Sequence, residues 1–424
     1  MTSAAQSQLL LGEALAQSNR ENPYPTYRRL REHGPLVMPD ANLIVFSTFA
    51  DCDAALRHPY SASDRLKSTM AQRQLAAGAQ PRPFGLAGMM DRKQAPVFLF
   101  LDPPDHTRLR KLVSKSFVPK VISELEPVIV TLVDDLLDRI DERGEFDAVS
   151  EFAYPLALGV ICRLLGVPVE DEAQFGHALS LIGRAVDPLV SVSGDGLGEV
   201  EERMRAGRWL RDYHRDLIAR RRVAPADDLI SALIAVEESG DQLTEEEIIS
   251  TCNLLLIAGH ESTVSLIVHA ILALLRDRTH WDALSADARR APRIVEEALR
   301  FDAPAQLLGR IAAEEMTIGD VTVPKGETMI LLLAAAHRDP AANERPDVFD
   351  PDRKVIRHLG FGYGAHFCIG APLVRLEAST GLARLAARFP RAELAGDPVY
   401  KPNVTLRGIS SLPVRTQPDS TSAS

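Results

Sequence analysis

The chain has 424 residues, of which 46% are hydrophobic and 25% are charged, a globular composition with ample material for a large core. The formal net charge of −10 argues against a nucleic-acid partner, because binding to phosphates relies on a dominant basic surface. The four cysteines include no C-x-x-C pair, so they fit neither a disulfide framework nor a zinc site, and we expect a reducing, cytoplasmic location.

The amino-terminal segment has no basic start, and Glu13 interrupts its short apolar run, so it is not a typical signal peptide. We expect residues 1–21 to form a flexible N-terminus.

Turn residues alternate with short apolar runs over 35–48, which predicts a small sheet, and a helical pattern follows over 49–57. The pattern dissolves over 64–98. A stretch of that length is either disordered or a functional lid, and both interpretations stay open.

Helical spacing dominates from residue 106 to residue 288, where apolar residues recur three and four positions apart. A charged first turn at 241–247 opens a long helix that is predicted to end near residue 276. The longest apolar stretch, 254–275, is interrupted by polar and charged residues, so we predict no membrane span.

Strand patterns return in the carboxyl-terminal third, around turns that contain glycine and proline. They cover 305–313, 317–323 and 328–333. A last hairpin is predicted near 404–414, and the tail 416–424 is predicted to be disordered. Because no linker divides the chain, we predict a single domain over residues 22–415 that is mainly α with a minor β subdomain.

The most informative segment is FGYGAHFCIG, which ends at Gly370. Its cysteine, Cys368, follows closely spaced glycines and precedes a helix that is predicted to begin around Ala371. A thiolate at a helix N-terminus is favoured by the macrodipole and by unpaired N–H groups. Such a sulfur can ligate haem iron and donate electron density to it. The other three cysteines lie in apolar runs and are predicted to be core packing.

The spacing F-x-x-G-x-x-x-C-x-G, carried by Phe361, Gly364, Cys368 and Gly370, resembles the haem-thiolate signature of the cytochrome P450 family. The order of the predicted segments is similar to that of its soluble bacterial members. The resemblance implies the cytochrome P450 fold, with haem b held non-covalently between a long central helix and the cysteine-bearing loop. Cys368 would be the metal ligand, and Phe361, Gly362 and Gly370 would be further cofactor contacts.

The segment AGHES on the long helix resembles the oxygen-activating motif of the same family. Reduction of dioxygen consumes protons, and an acid beside an alcohol can relay them through ordered water. We predict Glu261 and Ser262 as the catalytic pair, and Ala258 and Gly259 as cofactor contacts. The family most often has threonine where Ser262 stands, and Thr263 follows it, so the identity of the relay hydroxyl stays open.

The two propionates of haem need cationic or donor partners. The resemblance implies four residues for this role, spread over three parts of the chain: His106, Arg110, Arg310 and His366.

A further pair, Glu297 and Arg300, stands three positions apart in a predicted helix, where the simplest interpretation is a surface ion pair. In the family, an E-x-x-R of this placement joins an arginine before the cysteine loop. Arg353 fits that third position. The resemblance therefore implies a structural brace for the haem-binding core rather than a catalytic group.

By resemblance the chain is an enzyme, a monooxygenase that uses dioxygen to hydroxylate or epoxidise a lipophilic small molecule. Residues of the long helix and of a later strand are the candidate substrate contacts: Leu254, Ile257, Ala258, Gln306, Leu307 and Leu308.

No dinucleotide-binding motif is present, so electrons would come from a separate ferredoxin and ferredoxin reductase. A basic run is a candidate docking patch for an acidic donor, the alternative being a solvated face. It comprises Arg108, Arg110, Lys111, Lys115 and Lys120.

Two other functions stay open on the same fold. A peroxygenase driven by hydrogen peroxide would not need the acid and alcohol pair that is present at Glu261 and Ser262. A thiolate-haem sensor would form no product and would not take up electrons in response to a substrate.

Overall fold

The structure is a computed structural model that describes residues 3–78, 95, 97–141, 143–184, 197–238 and 243–417. Its helices are α1 Ser3–Leu15, α2 Tyr24–His33, α3 Phe49–Arg57, α4 Thr69–Ala76, α5 Asp105–Ser114, α6 Pro119–Asp141, α7 Tyr154–Leu165, α8 Glu172–Arg184, α9 Leu197–Val223, α10 Leu229–Glu238, α11 Glu245–Arg276, α12 Arg278–Ala286, α13 Ala291–Phe301, α14 Leu333–His337 and α15 Ala371–Arg388. Its strands are β1 Leu36–Met38, β2 Leu43–Phe46, β3 Ser61–Ala62, β4 Glu145–Asp147, β5 Leu308–Ala312, β6 Met316–Ile318, β7 Val321–Val323, β8 Thr328–Leu331, β9 Glu393–Leu394, β10 Val399–Tyr400, β11 Ile409–Ser411 and β12 Pro413–Arg415.

Helix α11 lies at the centre of the α part, where it contacts α7, α9, α13 and α15. A capping box begins it: the Thr244 hydroxyl accepts from the Glu247 N–H, and the Glu247 carboxylate accepts from the Thr244 N–H at 2.8 Å. Most of its residues are buried, because neighbouring helices cover most of its surface. The long helix predicted from the charged first turn is therefore confirmed.

Two described helical segments are long and apolar enough to cross a membrane, Ala148–Leu165 and Glu245–Arg276. Within the fold, 72% and 78% of their apolar windows are buried against protein. Burial by other helices accounts for their composition, as in the core helices of globular proteins.

The β part is dominated by a five-stranded sheet of order β1-β2-β8-β5-β3. Its pairs are antiparallel except β2 with β8, which is parallel. This sheet joins the amino-terminal strands to those that follow α13. The strand patterns predict strands in both regions but not this pairing. The predicted last hairpin at 404–414 is wrong in its pairing: β11 pairs with β10, and β12 pairs with β4 and β9. Strand periodicity reports which residues alternate but not which distant strand accepts them.

The described start of the chain differs from the flexible N-terminus that the sequence suggests. Residues Ser3–Leu15 form α1, which packs on α2 and β1 with Leu10 and Ala14 buried. In the unpatterned stretch after residue 64, α4 is a helix that the sequence did not reveal. Residues 79–94, 96 and 418–424 lie outside the described residues, so the lid, the disordered tail and the domain limits 22–415 stay predictions.

A buried ionic cluster ties the amino-terminal helices to the centre of the molecule. The Asp302 carboxylate accepts from Tyr24 Oη at 2.6 Å and from Arg407 Nε at 2.8 Å, and its carbonyl oxygen lies 2.8 Å from His269 Nδ1. Arg407 also donates to two carbonyls between α1 and α2. Burial alone would raise the pKa of Asp302, but its neighbours, Arg407 foremost, lower it to about 2.

Replacement Asp302→Asn should lower the free energy of unfolding by about 3–5 kcal/mol at pH 7, because Arg407 is left buried without its anion. The Asp302 pKa is depressed in the fold, so this stabilisation is complete above pH 4 and is lost as pH falls toward 2. Urea unfolding from pH 7 to pH 3 should show the wild type converging on the variant. The control is Asp138→Asn, which removes an exposed partner of Arg388. Parallel pH profiles for wild type and Asp302→Asn would contradict the assignment.

Candidate cofactor and catalytic site

Cys368 lies in a tight turn that its own backbone closes. The Cys368 N–H donates to the Phe361 carbonyl at 2.8 Å. Gly362 and Gly364 have φ of 66° and 71°, in the left-handed region that favours glycine. A Cβ on Gly364 would lie 3.2 Å from the Leu56 carbonyl, so the end of α3 packs directly on the turn. The turn thus places the sulfur just before α15.

The sulfur is surrounded by groups that favour its anion. Burial raises the pKa of the Cys368 thiol, and the N–H groups of Gly370 and Ala371 oppose that rise, as do the guanidiniums of Arg110 and Arg375. A metal cation on the sulfur would supply the remaining positive charge, since coordination deprotonates a thiol. The other three cysteines are buried, in agreement with their prediction as core packing.

His106, Arg110, Arg310 and His366, which we call the polar cluster, meet beside the Cys368 turn. The His106 and His366 rings stack with centroids 4.1 Å apart. Arg110, one turn along α5 from His106, donates to the Phe367 carbonyl. Asp102, which sequence reasoning missed, lies 4.0 Å from His366 Nε2 and also binds Lys67 at 2.7 Å.

The polar cluster carries more donors than the described protein satisfies. Both ring nitrogens of His106 are buried without a hydrogen-bond partner among the described residues. Arg310 donates to the carbonyl of its neighbour Gly309, and burial lowers the pKa of Arg310 to about 10, with Asp102 opposing the change. Burial also lowers the pKa of His366 to about 3, so its ring is neutral at pH 7. Buried donors of this kind match two anionic carboxylates, and the cluster therefore fits the propionates of haem.

One face of α11 is not covered by the rest of the described protein. Ala258 is exposed although Leu256 and His260 on either side are buried, and Ser262, one turn later, is partly exposed. The Ser262 and Thr263 hydroxyls donate to the carbonyls four residues earlier at 2.8 and 2.7 Å. Thr263 is fully buried, so only Ser262 shares the open face with Ala258.

Gly259 has a packing role that the sequence prediction did not include. A Cβ there would lie 3.2 Å from Cδ1 of Ile161, so the missing side chain lets α7 approach α11 closely. A side chain at Gly259 would therefore point toward α7. The contact of Gly259 with the cofactor stays a prediction.

Glu261 points to the carboxyl-terminal β10–β11 hairpin. Its Oε1 accepts from Lys401 Nζ at 2.6 Å, and both side chains are mostly buried. A Cβ on Gly408 would lie 2.9 Å from Ser265 Oγ and 3.6 Å from Glu261 Oε1, so the hairpin passes close to this side of α11. Lys401 is 140 positions away in sequence, and no local pattern could have identified it as the partner.

Some of the candidate substrate residues are partly exposed, and others are buried in the core. Ile257 and Leu308 are partly exposed, and Leu308 Cδ1 lies 4.0 Å from where a Cβ on Gly362 would stand. Leu254 is 4% exposed and belongs to the main core. Together with Ala258, the first two residues are the ones whose positions suit contact with a ligand beside the cysteine turn.

Gln306 and Leu307 are turned away from a ligand. Gln306 Oε1 accepts from Tyr27 Oη at 3.1 Å, and Gln306 Nε2 donates to the Ala303 carbonyl at 2.6 Å. Leu307 packs with residues of α1 and α2. We therefore correct the substrate role predicted for both, which the strand pattern suggested because it cannot show that the amino-terminal helices cover this side of the sheet.

Glu297, Arg300 and Arg353 form a buried triad rather than a surface pair. Glu297 accepts from Arg300 at 2.7 and 2.8 Å and from Arg353 Nε at 3.1 and 3.2 Å. The side chains of Glu297 and Arg300 have no exposed surface, and that of Arg353 has 6%. Both guanidiniums also donate to the Val348 carbonyl, so the triad fixes the segment before the cysteine turn to α13.

The basic run is only partly available as a docking patch. Arg108 binds Glu247, and Arg110 binds the cysteine turn. Lys111, Lys115 and Lys120 are exposed. Within the basic run, these three lysines therefore provide the exposed positive charge that the sequence predicts.

Comparison with known proteins agrees with this geometry. The family model described as Cytochrome P450 matches residues 61–417. Vitamin D(3) 25-hydroxylase of Pseudonocardia autotrophica is 38% identical over 408 residues, 94% of this chain and 95% of that protein. The 6-deoxyerythronolide B hydroxylase of Saccharopolyspora erythraea is 41% identical over 321 residues, 74% of this chain and 76% of that protein.

Solved structures match over nearly the whole chain. The ligand-free crystal structure of Mycobacterium smegmatis CYP164A2 is 57% identical, covers 96% of this chain and 100% of that chain, and has a TM-score of 0.87. The same protein with econazole bound is 58% identical with the same coverage and a TM-score of 0.87.

Replacement Glu297→Gln should destabilise the protein by about 3–5 kcal/mol, because two guanidiniums lose the only carboxylate that we find against them among the described residues. Denaturant unfolding measures the loss. Arg289→Gln, which removes an exposed pair with Asp287, is the control and should have little effect. A loss for Glu297→Gln no larger than for this control would show that the triad is not a brace.

Proposed function

Because the chain belongs to the cytochrome P450 family, we propose that it oxidises a lipophilic small molecule with electrons from a separate ferredoxin and ferredoxin reductase. It is a haem monooxygenase, and its cofactor is non-covalent haem b. Bound haem supplies the activation of dioxygen. The observation that carries the proposal is the sulfur of Cys368, placed before α15 beside the polar cluster, in which both ring nitrogens of His106 lack a partner among the described residues.

In this proposal the thiolate of Cys368 holds the iron from one side, and the polar cluster binds the propionates. Arg310 supports the latter assignment best, because a half-buried guanidinium that donates to one backbone carbonyl is stabilised by an anion. We propose that Phe361, whose carbonyl accepts from the Cys368 N–H, contacts the haem together with Gly362 and Gly370. A Cβ on Gly370 would stand 3.9 Å from Sγ, so that position leaves the sulfur open.

We propose that Ser262 carries the relay hydroxyl. Ser262 lies one turn from Ala258 on the open face of α11, whereas Thr263 is enclosed by protein. Glu261 is the neighbouring acid, and its ion pair with Lys401 holds the carboxylate on the side of the hairpin. Proton transfer from Glu261 to Ser262 therefore needs water between them or a rotation that breaks the ion pair.

The proposed substrate is a hydrophobic molecule of substantial size. The open face of α11 carries apolar side chains at Ile257 and Ala258, and Leu308 of β5 is also partly exposed. The names of two relatives, a vitamin D(3) 25-hydroxylase and a 6-deoxyerythronolide B hydroxylase, refer to large lipophilic compounds. Hydroxylation is accordingly the favoured outcome, and epoxidation requires an alkene in the substrate.

The proposed ferredoxin contact lies on the outside of the cysteine turn. Lys111 of α5 and Lys115, which follows the helix, provide exposed positive charge that an acidic partner complements. Tyr363 and Phe367 are 40% and 38% exposed, and Phe367 adjoins Cys368 in sequence, so an apolar contact is available next to the sulfur. A cytoplasmic location, where ferredoxins and reducing conditions occur, belongs to the same proposal.

The purified protein should contain haem whose reduced, carbon monoxide-bound form shows the red-shifted absorption band of thiolate ligation. Cys368→Ala should abolish that band, because the other three cysteines are buried, whereas Cys252→Ala, at one of these buried positions, should retain it. Persistence of the band in Cys368→Ala would overturn the proposal. Econazole, which is bound in the M. smegmatis relative, should shift the haem spectrum and provides a positive control for a screen of lipophilic compounds.

Ser262→Ala should reduce the product formed per electron consumed by roughly tenfold or more, the scale of general acid–base catalysis. Ser262→Thr should preserve or improve the ratio, since the added methyl restricts the hydroxyl rotamer. Thr263→Val is the matched control. Substrate turnover with dioxygen and reductase, measured together with peroxide release, decides the matter. Equal uncoupling in Thr263→Val would refute the choice of Ser262, and faster turnover with added peroxide than with dioxygen would favour a peroxygenase.

A further inference from the structure

Two consecutive glutamates on α13 bind different parts of the molecule. Successive helix residues point about 100° apart, so Glu296 cannot share the environment of Glu297. The Glu296 carboxylate accepts from Arg375 Nε at 2.6 Å and from Arg375 Nη2 at 3.1 Å. Its Oε2 also lies 2.9 Å from His358 Nε2. His358 precedes the cysteine turn and Arg375 follows it, so one carboxylate contacts both of its flanks.

The first flank is fixed by a chain of short contacts. His358 Nδ1 accepts from the Gly360 N–H at 3.2 Å, which leaves Nε2 as the nitrogen that donates to Glu296. A Cβ on Gly360 would lie 3.3 Å from Leu299 Cδ2, so the backbone here rests against the same face of α13 that carries Glu296. The orientation of His358 thus depends on the Glu296 carboxylate.

The second flank returns to the beginning of the turn. The Arg375 guanidinium lies over the Phe361 ring, 4.5 Å from its centroid, and the His358 ring meets the same ring edge-on at 5.9 Å. Phe361 is the residue whose carbonyl receives the Cys368 N–H. Arg375 is also among the charges that lower the Cys368 pKa against the effect of burial. The position of Arg375 therefore affects both the shape of the turn and the charge near the sulfur.

From these contacts we propose that Glu296 is a positioning residue that clamps both flanks of the cysteine turn and, by holding Arg375, sets the positive charge that the sulfur experiences. This inference rests on the proposed role of Cys368 as the iron ligand. Glu297 of the family signature has a separate task, because its partners Arg300 and Arg353 bind the segment before the turn instead.

The charge of Glu296 persists under ordinary conditions. Burial would raise the pKa of its carboxyl, but the hydrogen bonds from His358 and Arg375 outweigh that effect and lower the pKa to about 2. Removing this anion leaves Arg375 uncompensated and favours the electron-rich, reduced state of a nearby iron. Removing the Arg375 cation has the opposite effect, so the two changes are expected to move a reduction potential in opposite directions.

The test compares Glu296→Gln, Arg375→Met and the double variant with Asp134→Asn. Asp134 pairs with Arg384 of the same helix α15 through two bonds of 2.6 and 2.5 Å, which makes it a matched control away from the turn. The haem reduction potential should shift positively in Glu296→Gln and negatively in Arg375→Met, with the double variant between them and the control unchanged. Shifts of the same sign, or none, would overturn the electrostatic part of the proposal.

Amide hydrogen exchange tests the clamp without relying on the haem spectrum. Exchange of the peptide that covers 358–368 should become about tenfold faster in Glu296→Gln, the loss expected when charge-assisted hydrogen bonds are removed. Asp134→Asn should leave that peptide unchanged. Unaltered exchange in Glu296→Gln would refute the proposal that Glu296 clamps the turn. A wild-type protein without the thiolate band would instead refute the role of Cys368 as the iron ligand. The exchange result would then test the clamp independently of that role.

Discussion

Glu297 is fully buried with two guanidiniums against it, and much of the haem-binding side of the molecule depends on this arrangement. Three desolvated charges are stable together only if every donor and acceptor is satisfied, and here the spare donors of Arg300 and Arg353 reach the carbonyls of the segment that leads to the cysteine turn. The triad thereby converts a long irregular segment into a fixed one. On the adjacent face of α13, Glu296 bonds to residues on both sides of the turn.

The polar cluster differs from the triad, because some of its donors have no partner among the described residues. Buried donors without partners, such as the ring nitrogens of His106, cost stability, and a ligand that satisfies them returns that stability to the folded state. The folding of this chain and its binding of haem are therefore coupled. Burial also explains the lowered pKa values of Arg310 and His366, because it disfavours their charged forms and Asp102 only partly opposes this effect.

The residues of the proposed proton relay lie between the central helix α11 and the carboxyl-terminal part of the chain. Ser262 lies on the open face of α11, while Glu261 is held by Lys401 of the β10–β11 hairpin. The same hairpin region contains Arg407, which binds Asp302 and the amino-terminal segment. Glu261, the acid of the proposed relay, is thus bound to the β10–β11 hairpin, and contacts with the amino-terminal segment help to fix this hairpin. Movement of the hairpin would alter the ion pair between Glu261 and Lys401.

The sequence by itself determined the class of the fold, the long helix, the cysteine turn and the family resemblance, because these follow from local periodicity and from residues close together in the chain. It also identified Glu297, Arg300 and Arg353, although only the structure shows that they are buried. The tertiary structure alone decided that α1 packs against the core, that Gln306 and Leu307 face the amino-terminal helices, and that Gly259 serves the approach of α7. It also decided the pairing of Glu261 with Lys401 and of Glu296 with Arg375, because the partner of a charged side chain depends on which distant element covers it, and no local pattern carries that information.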